Sequence, residues 1–317
     1  MFDAEVAASS APGCSRRTVM KTALVMVTAA GGAALAGCSS SGGSSAAGTT
    51  SPAGTTSPTP SPSAHTSAPA SPSATASTSA RPSSPAFDKA SLEELRARFT
   101  GVAPTQWGLD IDGIKQVNAG EAVTVTLDAC GGPGGGQVDR ELLDFLRSEQ
   151  IRATLFLNQR WIHANEALAV ELAQDPLFEI GNHGTAHCPL TVDGRAAYGI
   201  AGTADVSAAI AEVADNHRTI FELTGVEPRW FRSGTAHYDD VGVKICEALG
   251  EVPVGFSVNA DAGATFSAEQ VVQSCAETQP GGILIGHFNQ PEGDTAEGLR
   301  RALPALRDAG YRFDFLT

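Results

Sequence analysis

The sequence predicts an α/β domain, a distorted (β/α) barrel either complete or short of closure, and three observations predict it. From Ala122 onward, short β-branched runs alternate with segments whose apolar residues fall at helical spacing, the pattern of parallel βα units. Six or seven such units fit into about two hundred residues, which suits a barrel better than an open sheet. Asp128, His183, Arg232, Asn259 and His287 all fall at the carboxyl ends of the expected strands, where a barrel gathers its chemistry.

Ahead of these units, a short helix is expected near Ser91, where Ser-Leu-Glu-Glu sets a carboxylate three residues after the hydroxyl, as a capping box does. A turn-rich stretch then runs to Gly120. AVTVTLD (Ala122 to Asp128) reads as the first strand and ends in the turn GGPGGG. The helix VDRELLDFLRSEQ follows, with Val138, Leu142, Phe145 and Leu146 at helical spacing. RATLFLN (Arg152 to Asn158) is the second strand, EALAVELAQD (Glu166 to Asp175) the second helix, and LFEIGNH the third strand. A longer helix spans Val206 to Leu223, followed by strand-like PRWFRS and the helix DVGVKICEALG. The strand VPVGFSVN, the helix SAEQVVQSCAET, the strand GGILIGH, the helix AEGLRRALPALRDAG and the strand YRFDFL complete the pattern.

Composition divides the rest of the chain. Residues 39–85 are Ser, Thr, Pro, Ala and Gly apart from His65 and Arg81, with Arg81 as the only charged side chain. Such a segment buries too little apolar surface to offset its ordering entropy and is expected to be a disordered linker. Residues 86–121 read as an N-terminal extension of the domain, and 122–317 as the domain proper. With 35 acidic against 21 basic residues the net charge is −14; this argues against nucleic acid, whose binding needs Lys and Arg on phosphates, and favours plain solubility.

Residues 1–38 read as an address. SRRTVMK (Ser15 to Lys21) precedes an apolar run, Thr22 to Ala36, too short for a robust membrane span. It resembles a twin-arginine export signal, with Val19 and Met20 in place of the usual Phe-Leu. LAGC (Leu35 to Cys38) resembles a bacterial lipobox, which implies lipidation of Cys38 and a membrane-anchored protein facing the extracytoplasmic side or the wall; an ordinary cleaved signal would release it instead. Without Cys14 and Cys38, four cysteines remain, and an even count in an oxidising compartment favours disulfides. Cys130 with Cys188 and Cys246 with Cys275 are the expected pairs.

His183 and His187 stand four residues apart in a chain with only seven histidines. They would share one face if the chain turned helical after the strand, and two neutral imidazoles so placed can hold a divalent metal, zinc being the usual occupant. A structural histidine pair is the rival reading of that spacing alone.

RATLFLNQRWIHANEALAVELAQDPLFEIGNHGTAH, together with GGILIGHFNQPEGDTAEGLRRALPALRDAGYRFDFL, resembles the polysaccharide deacetylase (NodB-homology) family. The resemblance covers about Ala122 to Leu316. It implies a distorted (β/α) barrel and metal-dependent removal of N- or O-acetyl groups from sugars. The family's first motif is an Asp-Asp pair whose leading Asp is the general base and whose second is a metal ligand; here it reads Asp128-Ala129, so the base is present and the ligand missing. The third motif implies that Arg232 orients the base, with Gly234 and Thr235 where the family has Pro and an aromatic residue, and that a backbone N–H near Thr235 helps an oxyanion. The fourth is degraded to NADAGAT (Asn259 to Thr265). The fifth makes His287 the general acid.

A catalytic zinc wants three protein ligands and an open position. His183, His187 and Asp128 are the favoured set; water filling the gap or a metal-free relative of the fold are the alternatives, and Cys130 is a thiolate candidate only without its disulfide. His237 reads as a surface residue or a substrate contact, and Asp261 as a helix-capping carboxylate or the heir of the fourth motif. Trp161 and Trp230 read as core rather than sugar platforms, and His163 and His217 as surface. The expected function is a monomeric hydrolase removing N-acetyl groups from an N-acetylated polysaccharide, peptidoglycan or else chitin-like. The alternatives are an inactive carbohydrate-binding lipoprotein on the same barrel, or a hydrolase of another non-peptide C–N bond.

Overall fold

The computed structural model describes residues 87–317; the expected export signal, Cys14, the lipidation site Cys38 and the linker 39–85 lie outside the described residues. The order of elements is α1 (Lys89–Phe99), β1 (Trp107–Gly108), β2 (Thr124–Ala129), α2 (Arg140–Ser148), β3 (Ala153–Leu157), α3 (Gln159–Ala164), α4 (Glu166–Gln174), β4 (Phe178–Asn182), α5 (Val206–Thr224), β5 (Trp230–Phe231), β6 (Tyr238–Asp239), α6 (Asp240–Ala248), β7 (Val252–Pro253), β8 (Val258–Asn259), α7 (Ala268–Cys275), β9 (Ile283–His287) and α8 (Thr295–Asp308).

Seven strands make one sheet in the order β7-β5-β4-β3-β2-β9-β8, with every pairing parallel. Its two edges, β7 and β8, are joined by only residues 254–257. Four linking residues span at most about 19 Å, whereas six inter-strand spacings in a flat sheet would need about 29 Å. The sheet therefore curls into an almost closed barrel. The expected single strand VPVGFSVN is thus two short strands on opposite edges, with the bend between them closing the ring.

The N-terminal extension seals that seam. Lys115 donates its N–H to Pro253 O and accepts from Gly255 N, while Asn118 donates to Gly281 O; the Gln116 amide oxygen accepts from Phe256 N at 2.9 Å.

Alternation along β2 sorts its two faces. Val123, Val125, Leu127 and Ala129 enter the main apolar core, packed with Leu142, Leu146, Leu172 and Leu303 of the surrounding helices. Thr124, Thr126 and Asp128 are equally buried but face the barrel interior, where Thr126 Oγ1 donates to Leu284 O at 2.6 Å. A second core joins α1, α5 and α6 through residues such as Phe99, Ile210, Val213 and Ile245.

Three local expectations change. Asp88, not Ser91, caps α1, its carboxylate accepting from Ser91 N at 2.9 Å, because the helix starts two residues before the serine. The segment YRFDFL forms only an isolated bridge, Phe313 to Val123. The chain after β4 does not turn helical, and His187 sits at φ 64° in an irregular loop. His183 and His187 nevertheless approach, with ring centroids 4.8 Å apart and planes near perpendicular at 88°.

Candidate metal and catalytic centre

β2, β4, β5 and β9 deliver their chemistry at their carboxyl ends, as expected. Arg232, the residue after β5, is fully buried and lies over the Phe156 ring at 4.3 Å. Its Nη1 donates to Asp128 Oδ1 at 2.8 Å and to Thr126 Oγ1 at 2.7 Å, and its Nη2 to Gly255 O at 2.8 Å. The guanidinium thus clamps one carboxylate oxygen rather than both. Burial pushes the Asp128 pKa up, but the charges of Arg232, His183 and His287 outweigh it and hold the carboxyl below its ordinary value.

His183, just past β4, is buried. Its Nδ1 lies 2.8 Å from Arg232 O; since a carbonyl only accepts, Nδ1 carries the proton and neutral His183 presents the Nε2 lone pair to the site. That Nε2 is 3.6 Å from Asp128 Oδ2 and 3.7 Å from Cys130 Sγ. His187 Nε2 is buried without a hydrogen-bond partner. Among the described residues, Cys130, His183 and His187 form a group able to take a metal, with ligand atoms all within 4.8 Å of one another. Asp128 borders this group but is not part of it. An orphaned imidazole nitrogen, a lone pair fixed by its ring partner and a thiol are donors that fit a divalent metal.

The expected disulfides are absent: Cys130, Cys188, Cys246 and Cys275 are all free. Packing explains this. The Cys130 thiol faces His183, and Cys246 Sγ donates to Glu251 O at 3.4 Å in one core while Cys275 belongs to the other. Burial pushes the Cys130 thiol up, but His287, His183 and His187 override it and set the thiol well below the usual range.

His287 ends β9. Its Nδ1 donates to Asp261 at 2.9 Å, and its backbone N–H donates to the same carboxylate at 2.7 Å. Thr295 Oγ1 donates to Asp261 as well, at 2.9 Å. Asp261 is fully buried, so the worn fourth motif retains a carboxylate that orients the imidazole rather than capping a helix. Burial lowers the His287 pKa, yet Asp261 and Cys130 raise it well above the ordinary value.

A cleft of about 460 Å³ opens here, lined by Asp128, Cys130, His187, Thr235, Asn259 and His287 among others. Thr235 Oγ1 is buried without a partner. Gly234 passes so close to His187 that a Cβ would collide with the His187 backbone, which is why a glycine stands there. His237 Nδ1 donates to Thr235 O at 2.8 Å and its ring packs between Trp107 and Tyr198. Trp161 and Trp230 are core, as expected, and His163 is exposed. His217 is not a surface residue: it is buried, 2.7 Å from Glu251 Oε1 and stacked on Phe87.

Sequence reasoning missed the residues that shape the histidine loop. Glu212, on the buried face of α5, accepts from Ala186 N at 2.9 Å and Cys188 N at 3.0 Å. Asn158 donates to His183 O at 2.9 Å and Gly184 O at 2.7 Å. A carboxylate on the apolar stripe of α5 was the only available signal.

The sequence model of the polysaccharide deacetylase family matches residues 115–254. It is similar to a curated Bacillus subtilis (strain 168) protein, YlxY, described as uncharacterised, with 26% identity over 192 residues. That match covers 58% of this chain and 53% of YlxY, so the chain spans about half the length of its relative. Among solved structures, it is similar to BA3943 of Bacillus anthracis, described as a CE4 family pseudoenzyme, at 22% identity and TM-score 0.53, covering 64% of this chain and 68% of that one. PdaA of Bacillus subtilis, a family 4 carbohydrate esterase, is similar at 19% identity and TM-score 0.52, over 70% of this chain and 86% of that one. At such identities these structures show the fold, a curled parallel sheet of the deacetylase barrel type.

Proposed function

We propose that the protein is an exported, membrane-anchored hydrolase that removes N-acetyl groups from a cell-wall glycan, peptidoglycan first and chitin-like polymers second. The observation that carries this reading is the meeting of Asp128, His183, His187, Arg232 and His287, from four strand ends, beside one cleft. Export and anchoring rest on the LAGC segment ending at Cys38.

Each side chain then has a task. His183 and His187 would hold a divalent metal, zinc by preference, which when bound would supply polarisation of the acetyl carbonyl and a lowered pKa of water. Asp128, kept ionised and in place by Arg232, takes the proton of the attacking water. A backbone N–H near Thr235 would stabilise the oxyanion; the Gly234 and Ala236 N–H groups on either side already donate to Cys188 O and Ser233 O. His287, charged and oriented by Asp261, delivers a proton to the departing amine, which would otherwise leave as a strongly basic anion.

Acetate release from N-acetylated peptidoglycan and chitin oligomers tests this. His183→Ala and Asp128→Asn should each lower release by about 10²-fold or more; equal release by wild type and both variants would defeat the assigned roles. A second reading has its own observation: Ala129 stands where the family places a carboxylate ligand. Glycan binding by the wild type with no acetate release selects that reading, a carbohydrate-binding protein without turnover.

A further inference from the structure

We propose that Cys130 supplies the third protein ligand of a thiophilic divalent ion held together with His183 and His187, while Asp128 remains on Arg232. The inference rests on the metal-dependent reading above and names what that reading leaves open, the ligand that Ala129 cannot provide.

Strand parity places the sulfur. Ala129 is fully buried in the apolar core with Val125 and Leu127, whereas Cys130 has the parity of Asp128 and lines the same cleft. Its backbone is anchored there by Arg160, whose Nη2 donates to Cys130 O at 3.1 Å.

Distances agree with a shared ion. Zn–S and Zn–N bonds at a tetrahedral angle separate sulfur and nitrogen by about 3.6 Å, and Cys130 Sγ lies 3.7 Å from His183 Nε2. The three ligand atoms fall within 4.8 Å of one another. His183 Nε2 is aimed into the group by the Nδ1 bond to Arg232 O, and His187 Nε2 is buried with nothing to bond. Asp128 Oδ1 is committed to Arg232 at 2.8 Å, and its Oδ2 borders the group, 3.6 Å from His183 Nε2, without belonging to it. As a thiolate, Cys130 contributes the single negative charge that Ala129 lacks. Sulfur also changes which ion fits: zinc and cobalt accept thiolate and imidazole together, while magnesium and calcium require oxygen.

The test is cobalt reconstitution of the full chain, read by absorption and metal stoichiometry. Wild type should bind one Co²⁺ and show a near-ultraviolet thiolate-to-cobalt charge-transfer band. Cys188→Ala should keep that band and Cys130→Ala should lose it, with zinc affinity falling by more than the ~10–100-fold that loss of an outer-shell partner costs. Cys130→Asp, which keeps a charged ligand, should bind cobalt without the band. A wild type that binds Co²⁺ with no charge-transfer band, or a Cys130→Ala protein that retains it, overturns the thiolate ligand and leaves the deacetylase reading standing. A wild type that binds neither cobalt nor zinc overturns both.

Discussion

At the scale of single residues, close packing fixes the candidate site as firmly as charge does. Gly234 leaves no room for a methyl group against the His187 backbone, and His187 holds a left-handed φ of 64° that costs a non-glycine residue energy unless its surroundings impose it. Gly234→Ala should therefore cost ~1–3 kcal/mol of stability and weaken zinc binding by pushing His187 aside; urea denaturation alongside zinc titration checks it, and unchanged affinity would show that the loop adjusts without moving the imidazole. Glu212 is the other anchor, with a carboxylate bonded to the N–H groups of Ala186 and Cys188. Its loss in Glu212→Ala leaves those donors unpaired, at ~1–3 kcal/mol, and should lower zinc affinity by about tenfold or more. Normal zinc binding in a destabilised Glu212→Ala protein would confine the residue to stability.

Among the elements, α6 ties the N-terminal extension to the barrel through Asp240. Its carboxylate accepts from Thr105 N at 2.7 Å and Gln106 N at 3.1 Å, and pairs with Lys244 Nζ at 3.0 Å. Burial pushes its pKa up, but those N–H groups and the ammonium win and hold it below the carboxylate range. A depressed folded pKa stabilises above the unfolded value of about 3.9, and that contribution is lost as pH falls toward the folded value. Asp240→Asn should thus be less stable than wild type at pH ~7, with the gap closing below about pH 4; a gap independent of pH would contradict the assignment. Elements also show what was legible in the chain. The long periodic ones, α2, α5 and α8, and the largely buried strands β2, β3, β4 and β9 were readable because each repeats one pattern over five or more residues. The stretch from Val252 to Asn259 was misread because its apolar run from Val252 to Phe256 continues to Val258 with only Ser257 between, and only tertiary pairing splits it between two edges. Of the site, Asp128, His183, His187, Arg232 and His287 were legible from motif and strand ends. Cys130 was obscured by an expected disulfide, and the Asp261 contact to His287 by a loop without periodicity.

For the whole molecule, closure of the barrel depends on residues that the strand pattern leaves out. Lys115 and Asn118 satisfy Pro253 O, Gly255 N and Gly281 O across the seam, and Phe87, Leu95 and Phe99 complete the second core. A chain beginning at residue 122 should fail to unfold cooperatively in calorimetry, whereas one beginning at residue 87 should show a single transition; a cooperative transition in the shorter chain would make the extension an accessory. The curled sheet is what gathers four strand-end side chains and His187 of the loop after β4 to one rim, and a metal at that rim is the claim on which the proposed chemistry rests. Anomalous diffraction at the zinc edge from crystals grown with zinc measures it most directly. The account predicts one strong peak within bonding distance of His183 Nε2, His187 Nε2 and Cys130 Sγ, with Asp128 still on Arg232; an empty rim, or a peak only at surface carboxylates, would contradict it.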